Sequence, residues 1–240
     1  MTRTDADAHA RSLAARYRLG EPAAEQLGVL LGLLVEDPHA PTAIRDRRRA
    51  VDDHLADSLV ALEVPEVRVA ERLVDLGAGA GLPGLPLAIA LPQTRVTLVE
   101  SSGRKCEFIE RAVAACGIGN ADVVHARAEA WPGGRGSFDV ATARALATLD
   151  VVVEYAAPLL VAGGTLVAWR GRRDPAEEAA AARAAAIVGL EPGVVIAVTP
   201  YAGARHRHLH LMSKVMETPQ RFPRRPGMAR KRPLSGFSRS

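Results

Sequence analysis

The stretch Val74-Asp75-Leu76-Gly77-Ala78-Gly79-Ala80-Gly81-Leu82-Pro83-Gly84 decides the fold of this chain. An apolar run stops at an acid, opens into three alternating glycines, and resumes as a second apolar run behind a proline. That order is a strand, a tight loop and a helix. Gly77, Gly79 and Gly81 have no Cβ, so the loop can take positive φ and a flat adenosine can lie against the main chain. Pro83 suits the first turn of the helix, where its missing N–H costs nothing.

Two nucleotide-type ligands compete for such a loop. Gly79-Ala80-Gly81-Leu82-Pro83-Gly84 fits the dinucleotide fingerprint G-x-G-x-x-G, and Glu100 falls near the acid expected for a ribose. A pyrophosphate, however, brings negative charge to the helix N-terminus, where the carboxylate of Asp75 would oppose it. S-adenosylmethionine has no phosphate, and its sulfonium and ammonium are cations. Asp75 is expected to hold those cations while Glu100 takes the ribose hydroxyls, with Gly79 part of the same cradle. An NAD-linked oxidoreductase stays open as the alternative, although Tyr155 lacks a lysine four residues on: Leu159 stands there. A non-catalytic RNA-binding module with the same shell is the second alternative.

Outward from the loop, short β-branched or apolar runs alternate with helical ones. Residues 72 to 77, 95 to 100, 121 to 125, 138 to 143 and 163 to 169 read as strands, with helices near 83 to 91, 103 to 116 and 148 to 160. The fold class is therefore α/β, a Rossmann-like and mostly parallel sheet with ligands at the carboxyl ends of its strands. An alanine-rich helix over 175 to 189 precedes a closing hairpin, Gly193 to Thr199 and His206 to Ser213, which predicts an antiparallel edge strand. Before Pro65, leucines 27, 30, 31, 33 and 34 at helical spacing predict a small N-terminal helical cap. The expected division is thus 1–65 cap, 66–216 catalytic domain and 217–240 basic tail.

The 240 residues are 48% hydrophobic and 24% charged, enough for one substantial core. No run approaches the ~18 apolar residues of a membrane span, and the polar start of the chain does not read as a signal peptide. A cytoplasmic protein is expected, with no membrane partner. Cys106 and Cys116 sit ten residues apart on one predicted helix, too far for a disulfide, and read as core thiols. No metal site is expected; His206, His208 and His210 alternate along a strand without a neighbouring cysteine or acid. The net charge of +4 is uneven. Residues 201–240 carry ten Lys or Arg against one acid, Glu217, so residues 1–200 hold 21 basic against 26 acidic side chains. Arg221, Arg224, Arg225, Arg230, Lys231 and Arg232, separated by Pro223 and Pro226, are expected to form an extended arm for phosphate.

Several short runs, taken in order, resemble one family. Asp75 to Pro86, Glu100-Ser101 with Gly103-Arg104-Lys105, Arg127-Ala128-Glu129, Phe138-Asp139 and Ala143-Arg144-Ala145 look like the bacterial glucose-inhibited division protein B family. The likeness extends to Ile44-Arg45-Asp46, His54-Leu55-Ala56-Asp57-Ser58 and Arg207-His208-Leu209. Before Ile44 the chain departs from it, with Pro38-His39-Ala40-Pro41-Thr42-Ala43 in place of the usual tryptophan and Asn-Leu-Thr. The resemblance implies a class I methyltransferase that moves a methyl group from S-adenosylmethionine to N7 of a guanosine in the decoding region of 16S ribosomal RNA. It implies as partner this RNA or the small ribosomal subunit, and a monomer is expected. It also implies donor contacts at Gly77, Leu82, Ala128, Glu129 and Arg144.

The residues are consistent with that acceptor. After the fourth strand the chain reads Thr142-Ala143-Arg144-Ala145-Leu146, without the Asn/Asp-Pro-Pro-aromatic device used on exocyclic amines or a nucleophilic cysteine for pyrimidine carbon. Guanine N7 needs neither, so Arg144 is expected to position the reactants and no general base is assigned. Arg104, Lys105, Arg127 and Arg170 each follow a predicted strand and are expected to grip RNA around the donor, helped by Arg224 and Arg225 of the tail. His54 reads equally as a phosphate contact or as a structural residue.

Overall fold

The computed structural model describes residues 3–236, so the last four residues of the basic tail lie outside the described residues. The chain opens with α1 (Arg3–Arg16) and α2 (Glu21–Glu36). A bent helical run follows: α3 (Arg47–Ala50), a π-helical stretch Val51–Ala56, α4 (Asp57–Leu59) and a 3₁₀ turn Val60–Glu63. After α5 (Pro65–Val69) come β1 (Arg72–Leu76), α6 (Gly84–Ala90), β2 (Arg95–Glu100), α7 (Gly103–Cys116), β3 (Ala121–His125) and β4 (Phe138–Arg144). The last part runs α8 (Leu149–Ala156), β5 (Leu160–Arg170), α9 (Pro175–Val188), β6 (Leu190–Ala197), β7 (His208–Lys214) and α10 (Met228–Lys231).

The seven strands lie in the order β3-β2-β1-β4-β5-β7-β6. β1 to β5 are parallel, while β7 enters antiparallel between β5 and β6. The expected edge strand, β6, pairs antiparallel with β7, and this inserted hairpin distinguishes the sheet from the dinucleotide order 3-2-1-4-5-6.

Alternation along each strand divides the interior in two. Leu73, Leu98, Val140 and Val167 face α6, α7 and the N-terminal helices, whereas Val74, Val99, Ala141 and Leu166 face α8 and α9. Both faces are covered, as a parallel sheet requires. The predicted cap leucines Leu27, Leu30, Leu31 and Leu34 are fully buried in the same cluster as Leu85 and Phe108. Gln26 ties α2 to the end of α7, its Nε2 donating to the carbonyl of Cys116 at 3.0 Å. The cap and the sheet therefore share one core.

The helix and strand bounds follow local chemistry. α9 starts at Asp174, whose carboxylate accepts from the N–H of Ala176 at 2.9 Å, with Pro175 at the first position, and stops at Gly189 in the left-handed region. β5 begins at Leu160, three residues earlier than predicted. Between Leu160 and Thr165 the pairing with β4 slips, and Gly163 with φ +79° lets the strand bulge there. Correspondingly α8 ends at Ala156 rather than 160.

The tail differs most from its reading. Residues 217–236 are a strap packed on α8 and α9, not an extended arm: Phe222, Ala229 and Leu234 are buried in the second cluster, and residues 228–231 form a helical turn. Apolar residues between the arginines supply the anchors that charge counting overlooks. No described helix is long and apolar enough to cross a membrane.

Candidate active site

The glycine loop lies at the carboxyl end of β1, with Gly77, Gly79 and Gly81 at φ +68°, +61° and +80°. Gly77 is held from below, its N–H donating to Val99 O at 2.8 Å. A Cβ on Gly77 would sit 2.5 Å from Leu146 Cδ1, so glycine lets the loop after β4 close over the loop after β1.

Asp75 is fully buried under this loop. Its Oδ2 accepts from the N–H of Gly84, the first residue of α6, at 2.9 Å, and its Oδ1 accepts from the Thr142 hydroxyl at 2.9 Å. Burial pushes its pKa up to about 6, against the lowering effect of both hydrogen bonds. Its oxygens cap α6 and bridge β1 to β4.

Glu100 has a related place at the end of β2. Its Oε2 accepts from the N–H of Gly79 at 3.0 Å, and its Oε1 accepts from the N–H groups of Ser101 and Ser102 at 2.8 and 2.9 Å. The carboxylate thus shapes the glycine loop and the entry to α7 together. Leu82 is buried beneath the loop in the first core cluster.

A cavity of about 250 Å³ opens beside Gly77 and runs to the end of β3. Gly77, Ala128 and Glu129, three of the residues singled out in the sequence, line it with Ser101, Leu146 and Tyr155. Burial pushes the Tyr155 phenol up, and the nearby Glu129 carboxylate adds to this. Glu129 Oε1 accepts from the N–H of Gly227 at 3.2 Å and lies 3.8 Å from Arg127 Nη1. Leu146, Tyr155 and Arg230, which completes the wall, were not among the predicted donor contacts. Their spacing carries no signal, because they come from three separate elements.

Arg144 leaves β4 but does not line this cavity. Its Nη1 donates to Asp57 Oδ2 at 2.8 Å and to the carbonyl of Asp53 at 3.1 Å. Arg144 thus pairs the sheet with the helical run of residues 47–63. Around it lies a polar knot: the indole of Trp169 donates to Asp57 O at 2.7 Å, Tyr201 donates to Asp53 Oδ1 at 2.6 Å, and Arg207 Nε is 3.4 Å from Asp57 Oδ1. His54 is buried in the π-helical stretch with its Nε2 at 2.8 Å from Thr42 Oγ1. Burial and the Arg144 charge lower its pKa.

The predicted RNA grips divide. Arg104, Arg127 and Arg225 are exposed and Lys105 is half-exposed. Arg104 and Lys105 line a cavity of about 630 Å³ with His39, Ser102 and Arg111, between α7 and the loop after α2. Arg170 and Arg224 are paired within the fold. Arg170 donates to the Ala147 carbonyl at 2.8 Å and lies 3.5 Å from Glu177, while Arg224 reaches Glu154 Oε2 at 2.6 Å and Oε1 at 2.9 Å. Glu154 is 1% exposed, so Arg224 compensates a buried charge. Cys106 and Cys116 are buried in α7 and do not line the cavity, and burial raises both thiols. Among the described residues, no group of three or more His, Cys, Asp or Glu is placed to hold a metal.

A family model described as rRNA small subunit methyltransferase G matches residues 35–209, more than half of the chain. The chain belongs to that family. It is similar to the ribosomal RNA small subunit methyltransferase G of Chloroflexus aggregans, 44% identical over 199 residues that cover 80% of this chain and 82% of that protein. The protein of the same name from Rubrobacter xylanophilus is 40% identical over 198 residues, covering 80% and 76%. Among solved structures, an S-adenosylmethionine-dependent methyltransferase from Aquifex aeolicus has a TM-score of 0.54 at 17% identity, covering 70% of this chain and 96% of its own. A 16S rRNA (adenine-N1)-methyltransferase from Catenulisporales acidiphilia has a TM-score of 0.51 at 19% identity, covering 64% and 89%. These two likenesses show the fold alone. As a member of the methyltransferase G family, the chain is an S-adenosylmethionine-dependent methyltransferase, and the oxidoreductase alternative falls with the sheet order and the family together.

Proposed function

We propose that this protein methylates N7 of one guanosine in the decoding region of 16S ribosomal RNA, acting as a cytoplasmic monomer. The observation that carries the reading is the cavity joining Gly77 to Ala128 and Glu129, with exposed Arg104 and Arg127 and half-exposed Lys105 flanking the same ends of the strands. Gly77 offers backbone for close approach, Ala128 and Glu129 offer an edge of backbone and carboxylate, and Tyr155 and Leu146 offer apolar walls. Those groups suit an adenosyl ligand. S-adenosylmethionine supplies, when bound there, an electrophilic methyl on a positively charged sulfur.

The protein's part in the reaction is placement. Guanine N7 has a lone pair and no proton, so no side chain must remove one before transfer. Both cysteines are buried and neither lines the cavity, and the Leu146 loop has no amide-proline pair for an exocyclic amine. Holding the acceptor in line at near-attack distance can lower the barrier by up to ~7–11 kcal/mol. Arg104, Lys105, Arg127 and Arg225 supply the phosphate contacts in this reading, and they set register rather than chemistry.

The test is methyl transfer from labelled donor to small subunits isolated from a strain lacking the modification, with N7-methylguanosine mapped by chemical cleavage. The expected result is one modified guanosine in the decoding region. Label at an adenosine, at a cytidine or outside that region would overturn the proposal. Comparing naked 16S RNA with whole subunits identifies the true substrate.

A further inference from the structure

The matched family region ends at residue 209, yet the donor cavity is not closed by residues before that point. Its remaining wall comes from the C-terminal strap. The strap is anchored at three places: the Arg224–Glu154 pair holds it to α8, Arg135 donates to the carbonyls of Thr218 and Phe222 at 3.0 and 2.7 Å, and Ser235 donates to Asp150 Oδ2 at 2.6 Å. Between these anchors the chain crosses the end of β3, where the Gly227 N–H fixes Glu129. Arg230 then reaches over the loop after β4, donating from Nη2 to the carbonyl of Leu146 at 2.8 Å, and lines the cavity beside Tyr155. On the other side of Glu129 and Tyr155, a second cavity of about 360 Å³ is lined by Gln220, Phe222 and Pro223 of the same strap.

A guanidinium has five N–H donors in a rigid fork. The Leu146 carbonyl takes one of Arg230's and the Tyr155 hydroxyl engages another, which leaves the rest of the fork at the cavity wall. We infer that the strap is part of the donor site and that Arg230 is a binding residue for S-adenosylmethionine, donating to its polar acceptor atoms while the strap encloses it. This rests on the donor reading of the Gly77–Glu129 cavity. Strap docking and donor binding are then linked, and each strengthens the other.

The experiment uses the full-length protein and S-adenosylhomocysteine, measured by calorimetry. Arg230→Met keeps the aliphatic stem and removes the donors; it is expected to weaken binding about 10-fold or more, as loss of hydrogen bonds from a charged group does. Arg230→Lys is expected to recover part of that loss, and Lys231→Ala, on the same helical turn, to leave binding unchanged. In the wild type, saturating S-adenosylhomocysteine should slow tryptic cleavage between residues 221 and 232, and in Arg230→Met that protection should shrink. Gly77→Val separates the two claims. If Gly77→Val abolishes binding while Arg230→Met stays within about twofold of wild type with no change in protection, the strap inference is wrong and the donor site stands. If Gly77→Val also binds normally, the donor lies elsewhere and both readings fall.

Discussion

Arg144 Nη1 lies 2.8 Å from Asp57 Oδ2, joining the end of β4 to the bent helical run of the N-terminal region. Both side chains are largely buried, 17% and 10% exposed. Removing one partner of such a pair leaves the other desolvated and uncompensated. Arg144→Ala is therefore expected to cost about 2–4 kcal/mol, and the double variant Arg144→Ala/Asp57→Ala less than the sum of the two single changes. Urea unfolding of the four proteins measures this. A fully stable Arg144→Ala protein with lost turnover would instead favour the positioning role expected from the sequence.

Asp75 predicts a pH dependence. Its folded pKa of about 6 is raised above its ordinary value of 3.8, so the folded state binds the proton more tightly than the unfolded one. Stability from this group is complete below pH ~4 and is lost as pH rises through ~6, a difference of order 3 kcal/mol. Asp75→Asn should flatten that window and be nearly neutral at pH ~7.5. Its amide oxygen can accept from Gly84 and its NH₂ can donate to Thr142. Asp75→Ala, which leaves both partners unmet, should cost about 2–4 kcal/mol. Denaturation midpoints from about pH 4 to 8 test both statements.

Gly77 combines φ +68° with a Cβ position 2.5 Å from Leu146 Cδ1. Any side chain there strains the backbone and pushes Leu146 into the cavity both residues line. Gly77→Val should abolish donor binding, while Gly77→Ala should cost about 1–2 kcal/mol of stability. Pairing Gly77→Ala with Leu146→Ala should recover part of the donor affinity, because the clash is removed and only the φ strain is left. Calorimetry with S-adenosylhomocysteine reads the affinity, and thermal unfolding reads the strain.

Salt dependence should separate surface arginines from structural ones. Replacing Arg104, Lys105 and Arg127 together by alanine should flatten the log-affinity against log-salt slope for RNA by about 2–3, at ~0.7–0.9 for each phosphate that is no longer neutralised. Arg170→Ala and Arg224→Ala should leave the slope within ~0.5 of wild type and lower the unfolding free energy instead, since their partners Glu177 and Glu154 lie within the fold. Equilibrium binding over a salt series decides between these outcomes for each residue.

The sequence by itself determined the alternation of elements and the glycine loop that suits a nucleotide-type ligand. Val74 to Gly84 dictates a strand, a glycine turn and a helix, because glycine accepts positive φ freely and a continuous apolar run buries both strand faces. β2, β3 and α7 fall on their predicted bounds, since caps, glycines and periodicity act over a few residues. What the charged side chains do was decided by tertiary structure. Arg104 and Arg224 look alike along the chain, yet one is exposed at the start of α7 and the other answers a carboxylate buried 70 residues earlier in sequence. Asp75 and Glu129 both stand near the carboxyl ends of strands, yet one caps a helix under the loop and the other lines the cavity. A charge takes its role from the partner that compensates its desolvation, and that partner is chosen by how distant segments pack.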